Sequence, residues 1–126
     1  MRTYDLAKNF FSEIMQDKEI QANVKRFDQD VQFYFKDDKP FYLEIRAGSI
    51  GVKEGESRKD YHEKIDIKTD LATFYRLVNG AVGFAGAIED MDMECRDMIK
   101  RPIVGWFGKT VRMGQNVLIL NRGKMK

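Results

Sequence analysis

His62-Glu63-Lys64-Ile65-Asp66-Ile67-Lys68-Thr69-Asp70-Leu71-Ala72-Thr73-Phe74-Tyr75-Arg76-Leu77-Val78-Asn79-Gly80 changes period in its middle. In the first half Ile65 and Ile67 point one way and Lys64, Asp66 and Lys68 the other, the alternation of a strand with one covered face. Thr69 and Asp70 then offer an N-cap. Leu71, Phe74, Tyr75 and Val78 follow at helical spacing as one apolar stripe, and Asn79-Gly80 supplies the stop. Taken with the antiparallel strands and the helices on either side of it, this strand-to-helix run belongs to an α+β chain, and no catalytic motif lies within it.

Outward from this stretch, the upstream chain alternates. Val31, Phe33 and Phe35 interleave with Gln32, Tyr34 and Lys36, Asp37-Asp38-Lys39-Pro40 turns, and Phe41, Leu43 and Ile45 interleave with Tyr42, Glu44 and Arg46. That is a hairpin signal. Gly48-Ser49 leads into a third strand, Ile50 to Lys53, and Glu54 to Asp60 is a polar loop. Consecutive strands joined by short turns predict antiparallel pairing, with one apolar face and one wet face. Further upstream, residues 3–16 read as a helix with Thr3 as cap, and Asp17 caps a second helix from Lys18 to Arg26.

Downstream the periodicity is weaker. The small-residue run AVGFAGA fits either a short helical turn or a tight connection. Met91, Met93 and Cys95 alternate with Asp90, Asp92 and Glu94, which favours a fifth strand over a helix between Ile88 and Asp97. A helix is predicted to begin at Pro102, with Ile103, Trp106, Phe107 and Val111 on one side, weakened by Gly105 and Gly108 and ended by Gly114. Val117 to Leu120 reads as a last strand or a packed tail, and NRGKMK as a frayed end.

Composition bounds the function classes. With 126 residues, 43% hydrophobic and 33% charged, the chain suits one domain over 1–126 that buries a core without metal or disulfide staples. One cysteine excludes an intramolecular disulfide framework. The N-terminus lacks the apolar core of a signal peptide, so a reducing, cytoplasmic setting is expected. From Ile99 to Lys126 there are seven cationic side chains and no acidic one, so against a net charge of +2 the rest of the chain carries −5. The acidic run Glu89, Asp90, Asp92, Glu94 and Asp97 is the natural counterpart of that basic segment.

The residues that carry chemistry elsewhere are sparse here. His62 is the one histidine, on the polar phase of its strand, and reads as a surface residue. Cys95 shares the apolar phase of Met91 and Met93 and reads as an inert small hydrophobe. Asp90, Asp92 and Glu94 lack the EF-hand pattern, and Gly80, Gly83 and Gly86 match neither a Walker loop nor a dinucleotide fingerprint. No metal, no cofactor and no enzymatic activity are predicted. Nine phenylalanines, five tyrosines, seven methionines and a tryptophan are instead an abundance of bulky apolar side chains. They either fill a core or line a cavity for ligands of variable shape.

The order of these elements resembles the sterol carrier protein type-two-like domain family. The likeness covers about Val31 to Cys95, and rests on the hairpin ending at Ala47-Gly48 and on the run from Ile65 to Gly80 with its Leu77-Val78-Asn79-Gly80 close. The resemblance implies an antiparallel sheet of about five strands covered on one face by helices, with an apolar tunnel between the layers for fatty acyl chains, sterols or other lipids. By that analogy and the apolar phases, Phe33, Phe74, Leu77, Val78, Phe84, Met91, Met93, Trp106 and Phe107 are expected near the cavity, Leu77 lying off the main stripe. Lys100, Arg101 and Lys109 are expected to steer the protein transiently to anionic membrane surfaces or to hold a carboxylate. The alternative is a non-enzymatic interaction module using the basic segment with Trp106 and Phe107 to bind nucleic acid or a partner. Without a recognised reading motif, nucleic acid ranks below a lipid-like ligand.

Overall fold

The computed structural model describes residues 2–95 and 102–124. Helices α1 (Thr3–Ile14) and α2 (Lys18–Val24) come first, then strands β1 (Gln29–Phe35), β2 (Phe41–Arg46) and β3 (Ser49–Glu54). A 3-10 turn, Tyr61–Glu63, leads into β4 (Lys64–Thr69) and α3 (Leu71–Val78). Helix α4 (Phe84–Glu89), strand β5 (Glu94–Cys95) and helix α5 (Pro102–Lys124) complete the chain.

The period change at Thr69-Asp70 is a real junction. Asp70 caps α3 by accepting from the backbone N–H of Thr73 at 2.8 Å. At the other end Gly80, at φ +77°, donates to the Leu77 carbonyl while Ala81 donates to Arg76, the paired bonds of a Schellman stop. The buried side of α3 is rotated from the expected stripe: Thr73, Phe74, Leu77 and Val78 are buried and Tyr75 is 56% exposed. Leu77 therefore belongs to the core face. Asp17 caps α2 as expected, through the N–H groups of Glu19 and Ile20. Thr3, by contrast, is the first residue inside α1, where its N–H and hydroxyl both donate to Asp38.

Five strands form one sheet in the order β3-β2-β1-β4-β5. The β1-β2 and β2-β3 hairpins are antiparallel, as expected. The β2-β3 turn is Ala47-Gly48, both left-handed at φ +51° and +82°. A Cβ on Gly48 would fall 2.6 Å from Lys25 Cγ, so glycine also lets α2 approach.

The sheet is mixed rather than purely antiparallel, because β4 pairs parallel with β1, Val31 opposite Ile65 and Phe33 opposite Ile67. The polar segment after β3 runs back across the outside of the sheet to start β4 beside β1. The expected wet face is consequently covered at β1, where Asp30 and Gln32 are buried along with Val31 and Phe33. Gln32 donates to the carbonyls of Phe33, Phe41 and Gly55, and its own oxygen accepts the Ser57 N–H at 2.7 Å.

Two further expectations are corrected. The fifth strand is only Glu94–Cys95, because Met91 adopts φ +63° in the turn after α4 and breaks the alternation. The C-terminal helix does not end at Gly114, and Val117 to Leu120 is neither strand nor loose tail: α5 runs unbroken from Pro102 to Lys124. Gly114 sits where α5 crosses α1, its missing Cβ leaving room for Ile14 and Phe10. The helices pack on one side of the sheet, where Phe33, Phe41, Phe74 and Phe107 meet at the centre of the core.

Candidate apolar groove between the last two helices

Helix α4 exists because Gly83 opens a short turn whose Phe84 and Ala87 face inward. Gln115 of α5 ties this region down, its amide donating to the carbonyls of Leu77 at 2.8 Å and Val82 at 2.9 Å. Between α4 and α5 lies an open cavity of about 340 Å³. Phe84, Ala85 and Ile88 form one wall, and Val104, Gly105 and Gly108 the other. The glycines shape it. A Cβ on Gly108 would press 3.0 Å from the Phe84 ring, whereas one on Gly105 or Gly83 would meet nothing within 4 Å. Gly108 therefore sets how closely the helices approach, and Gly105 and Gly83 leave the space between them empty.

The groove is apolar inside and cationic at its rim. Lys109 and Arg112 line it and are exposed, and neither forms an ion pair with a described residue. Such a site takes an apolar body and leaves a charged end in water beside the two cations. A cavity of about 380 Å³ on the outer sheet face is lined by Tyr34, Asp66, Lys68, Glu94 and Cys95, three of them charged, so it is a more polar site than the groove.

Of the side chains singled out in the sequence, Phe84 lines the groove. Phe107 stands directly behind it, ring to ring at 5.6 Å. Phe33 and Phe74 are 5.3 Å apart and packed against Phe41, and Leu77 and Val78 are buried in the same core. At these spacings the rings are in contact, so the centre of the layer between sheet and helices is filled. Trp106 lies at the α2–α5 seam, its indole N–H donating to the Asn23 carbonyl at 3.0 Å and its ring 4.7 Å from Phe27. Met91, 85% exposed, and buried Met93 border a separate cavity of about 230 Å³ at the end of β4. Lys100 and Arg101 lie outside the described residues; Lys109 is at the groove.

Trp106 and Phe107 are buried, so their rings are closed to base stacking. His62 is exposed on the 3-10 turn, and Cys95 is half-buried at the sheet edge. Among the described residues no cluster of three His, Cys, Asp or Glu side chains could hold a metal, and no helix is long and apolar enough to cross a membrane. Sequence reasoning missed Gly105, Gly108 and Arg112. The glycines carry no apolar signature, and only their spacing of three along α5 opposite another glycine-rich segment signals a helix crossing.

No family model and no curated protein sequence matches the chain. Solved structures do. A crystal structure of sterol carrier protein 2 superposes with a TM-score of 0.64, covering 88% of this chain and 94% of that one at 16% identity. Sterol carrier protein 2 from Yarrowia lipolytica gives 0.58, over 90% and 89% of the two chains, also at 16%. The sec-alkylsulfatase Pisa1 from a Pseudomonas species gives 0.58 at 14% identity, over 74% of this chain and 14% of its own. The chain has the sterol carrier protein 2 fold, which spans nearly all of the first of these solved chains and a small part of the sulfatase chain.

Proposed function

We propose that this chain binds a lipid-like apolar molecule in the groove between α4 and α5 and acts as a carrier, not as an enzyme. The observation that carries this reading is the apolar cleft of about 340 Å³ with two cations at its mouth. That volume sits at the lower end of the roughly 300–1,000 Å³ typical of small-molecule sites. Transfer of apolar surface from water supplies the driving force, at about 25 cal/mol per Å², and Lys109 and Arg112 orient a polar head. The neighbours with the same fold include proteins titled sterol carriers, which supports the ligand class by analogy.

Gly105→Leu tests the proposal. The added side chain enters empty space, so the fold tolerates it, while the groove is filled. Displacement of a fluorescent fatty acid from purified protein should weaken at least about tenfold, the scale of one buried aliphatic contact. Unchanged affinity with an unchanged melting temperature would remove the groove from the reading. Mass spectrometry of organic extracts from the purified protein would identify the class of any bound molecule.

A further inference from the structure

Helix α5 is longer than the groove it lines, and its outward side continues past it. Gly105, Lys109, Arg112, Asn116 and Ile119 recur at intervals of three or four, Leu120 stands four beyond Asn116, and all six are exposed. They form one stripe, opposite the buried Val104, Phe107, Val111 and Leu118. Ile119 is 55% exposed and Leu120 64% exposed, two of the four large hydrophobic side chains so exposed among the described residues. From Lys109 to Leu120 the helix rises about 16 Å.

We infer that this stripe is a membrane-docking surface, which seats the protein groove-mouth down on an anionic bilayer. The inference rests on the groove holding a lipid, since docking in this pose presents the mouth to the source of its ligand. Two features select the partner. Lys109 and Arg112 require an anionic surface, and residues 102–126 contain no acidic side chain to compete. Ile119 and Leu120, a little over one turn beyond Gln115, require something apolar to enter. A bilayer interface offers both, with phosphates at headgroup level and acyl carbon beneath. A nucleic acid answers the cations and leaves the apolar pair in water. A second copy paired antiparallel about Asn116 would set each Arg112 against Leu120, and a parallel pair would set Lys109 against Lys109.

Sedimentation with vesicles of phosphatidylcholine, with and without phosphatidylserine, tests the surface. The wild-type chain should bind the phosphatidylserine vesicles and be released as salt is raised. The double variant I119S/L120S should lose at least about tenfold in partitioning, given two aliphatic side chains withdrawn from the interface. It should still take up the fluorescent fatty acid in vesicle-free solution, because neither residue lines the groove. A polarity-sensitive label at L120C, in a C95S background, should shift to shorter wavelength on phosphatidylserine vesicles and not on phosphatidylcholine alone. The inference is overturned if the wild type ignores both vesicles, if I119S/L120S binds as well as wild type, or if the variant instead abolishes self-association in the absence of lipid. Vesicle binding without fatty-acid uptake would sustain the docking surface and count against the groove.

Discussion

Asp70 stands between the last residue of β4 and the first of α3, and its carboxylate accepts the Thr73 N–H at 2.8 Å. That backbone bond first, and then the Thr73 hydroxyl, hold the carboxyl below its ordinary value of 3.8 against the opposing effect of burial. A carboxyl with a depressed folded-state pKa contributes stability that is present above its unfolded value and lost as pH falls through the folded one. Asp70→Ala should therefore cost about 1 kcal/mol at neutral pH, the usual worth of a cap. In acid, below the depressed value, the gap between wild type and variant should close. Urea titrations at both pH values check it, and a gap that widens in acid would mean the charged cap is not what stabilises α3. The same residue shows what the sequence makes legible. A carboxylate between an alternating run and a helical run is a local signal, and it needs no knowledge of the rest of the chain.

Elements are legible where their signal is local and obscure where a neighbour decides. The α3 stripe was readable to within a rotation, because apolar spacing fixes a face only to about one residue's angle. Tyr75 joins that spacing yet turns to solvent, and Leu77 takes its place in the core. For α5 the local signals misled, since Gly105, Gly108 and Gly114 read as breaks. Each is explained by what α5 packs against or leaves open, and that partner is far away in sequence. The groove was hidden for the same reason: its walls are two helices whose contact no periodicity reports, so of the nine predicted cavity-lining side chains Phe84 alone lines it, beside Lys109 from the basic segment. Gly114→Ala makes the point measurable. Its Cβ would lie 2.9 Å from both Ile14 Cδ1 and Cγ2 and 3.2 Å from Phe10 Cζ, in a site with no exposure to yield into. Overpacking of this kind costs about 1–3 kcal/mol, and alanine returns at most about 1 through helix propensity. The variant should melt lower than wild type, with Gly105→Ala as the control that melts no lower because its Cβ meets nothing. Equal melting temperatures for the two variants would mean the α1–α5 crossing is slack.

At the scale of the whole molecule, the mixed sheet depends on a crossing whose first six residues, 55–60, include no apolar one. After β3, residues 55–63 must return the length of the sheet to start β4 parallel to β1, a distance that nine residues can span at up to about 30 Å. Residues 55–60 carry no hydrophobic side chain, and that part of the crossing is held by polar bonds: the Gly55 carbonyl accepts from Gln32, the Ser57 N–H donates to Gln32, and the Ser57 hydroxyl donates to Asp30 at 2.5 Å. Asp30 is 3% exposed and its other oxygen is 3.9 Å from Arg46, so the serine is its short partner among these. This is why the parallel pairing was unreadable: the residues that enforce it look like solvent loop, and their anchors look like the wet phase of β1. Ser57→Ala leaves a buried carboxylate oxygen without its donor, which costs about 1.5–3 kcal/mol for a bond to a charged group. Denaturant titration should show that loss, and limited proteolysis should cut faster within 55–60 as the crossing lifts from β1. The groove lies on the helical side of the sheet, so fatty-acid affinity should stay at the wild-type level under native conditions. A variant that kept its stability would mean the crossing is secured by Gln32 alone, and one that lost fatty-acid binding while still folded would mean the outer face and the groove are mechanically coupled through β1.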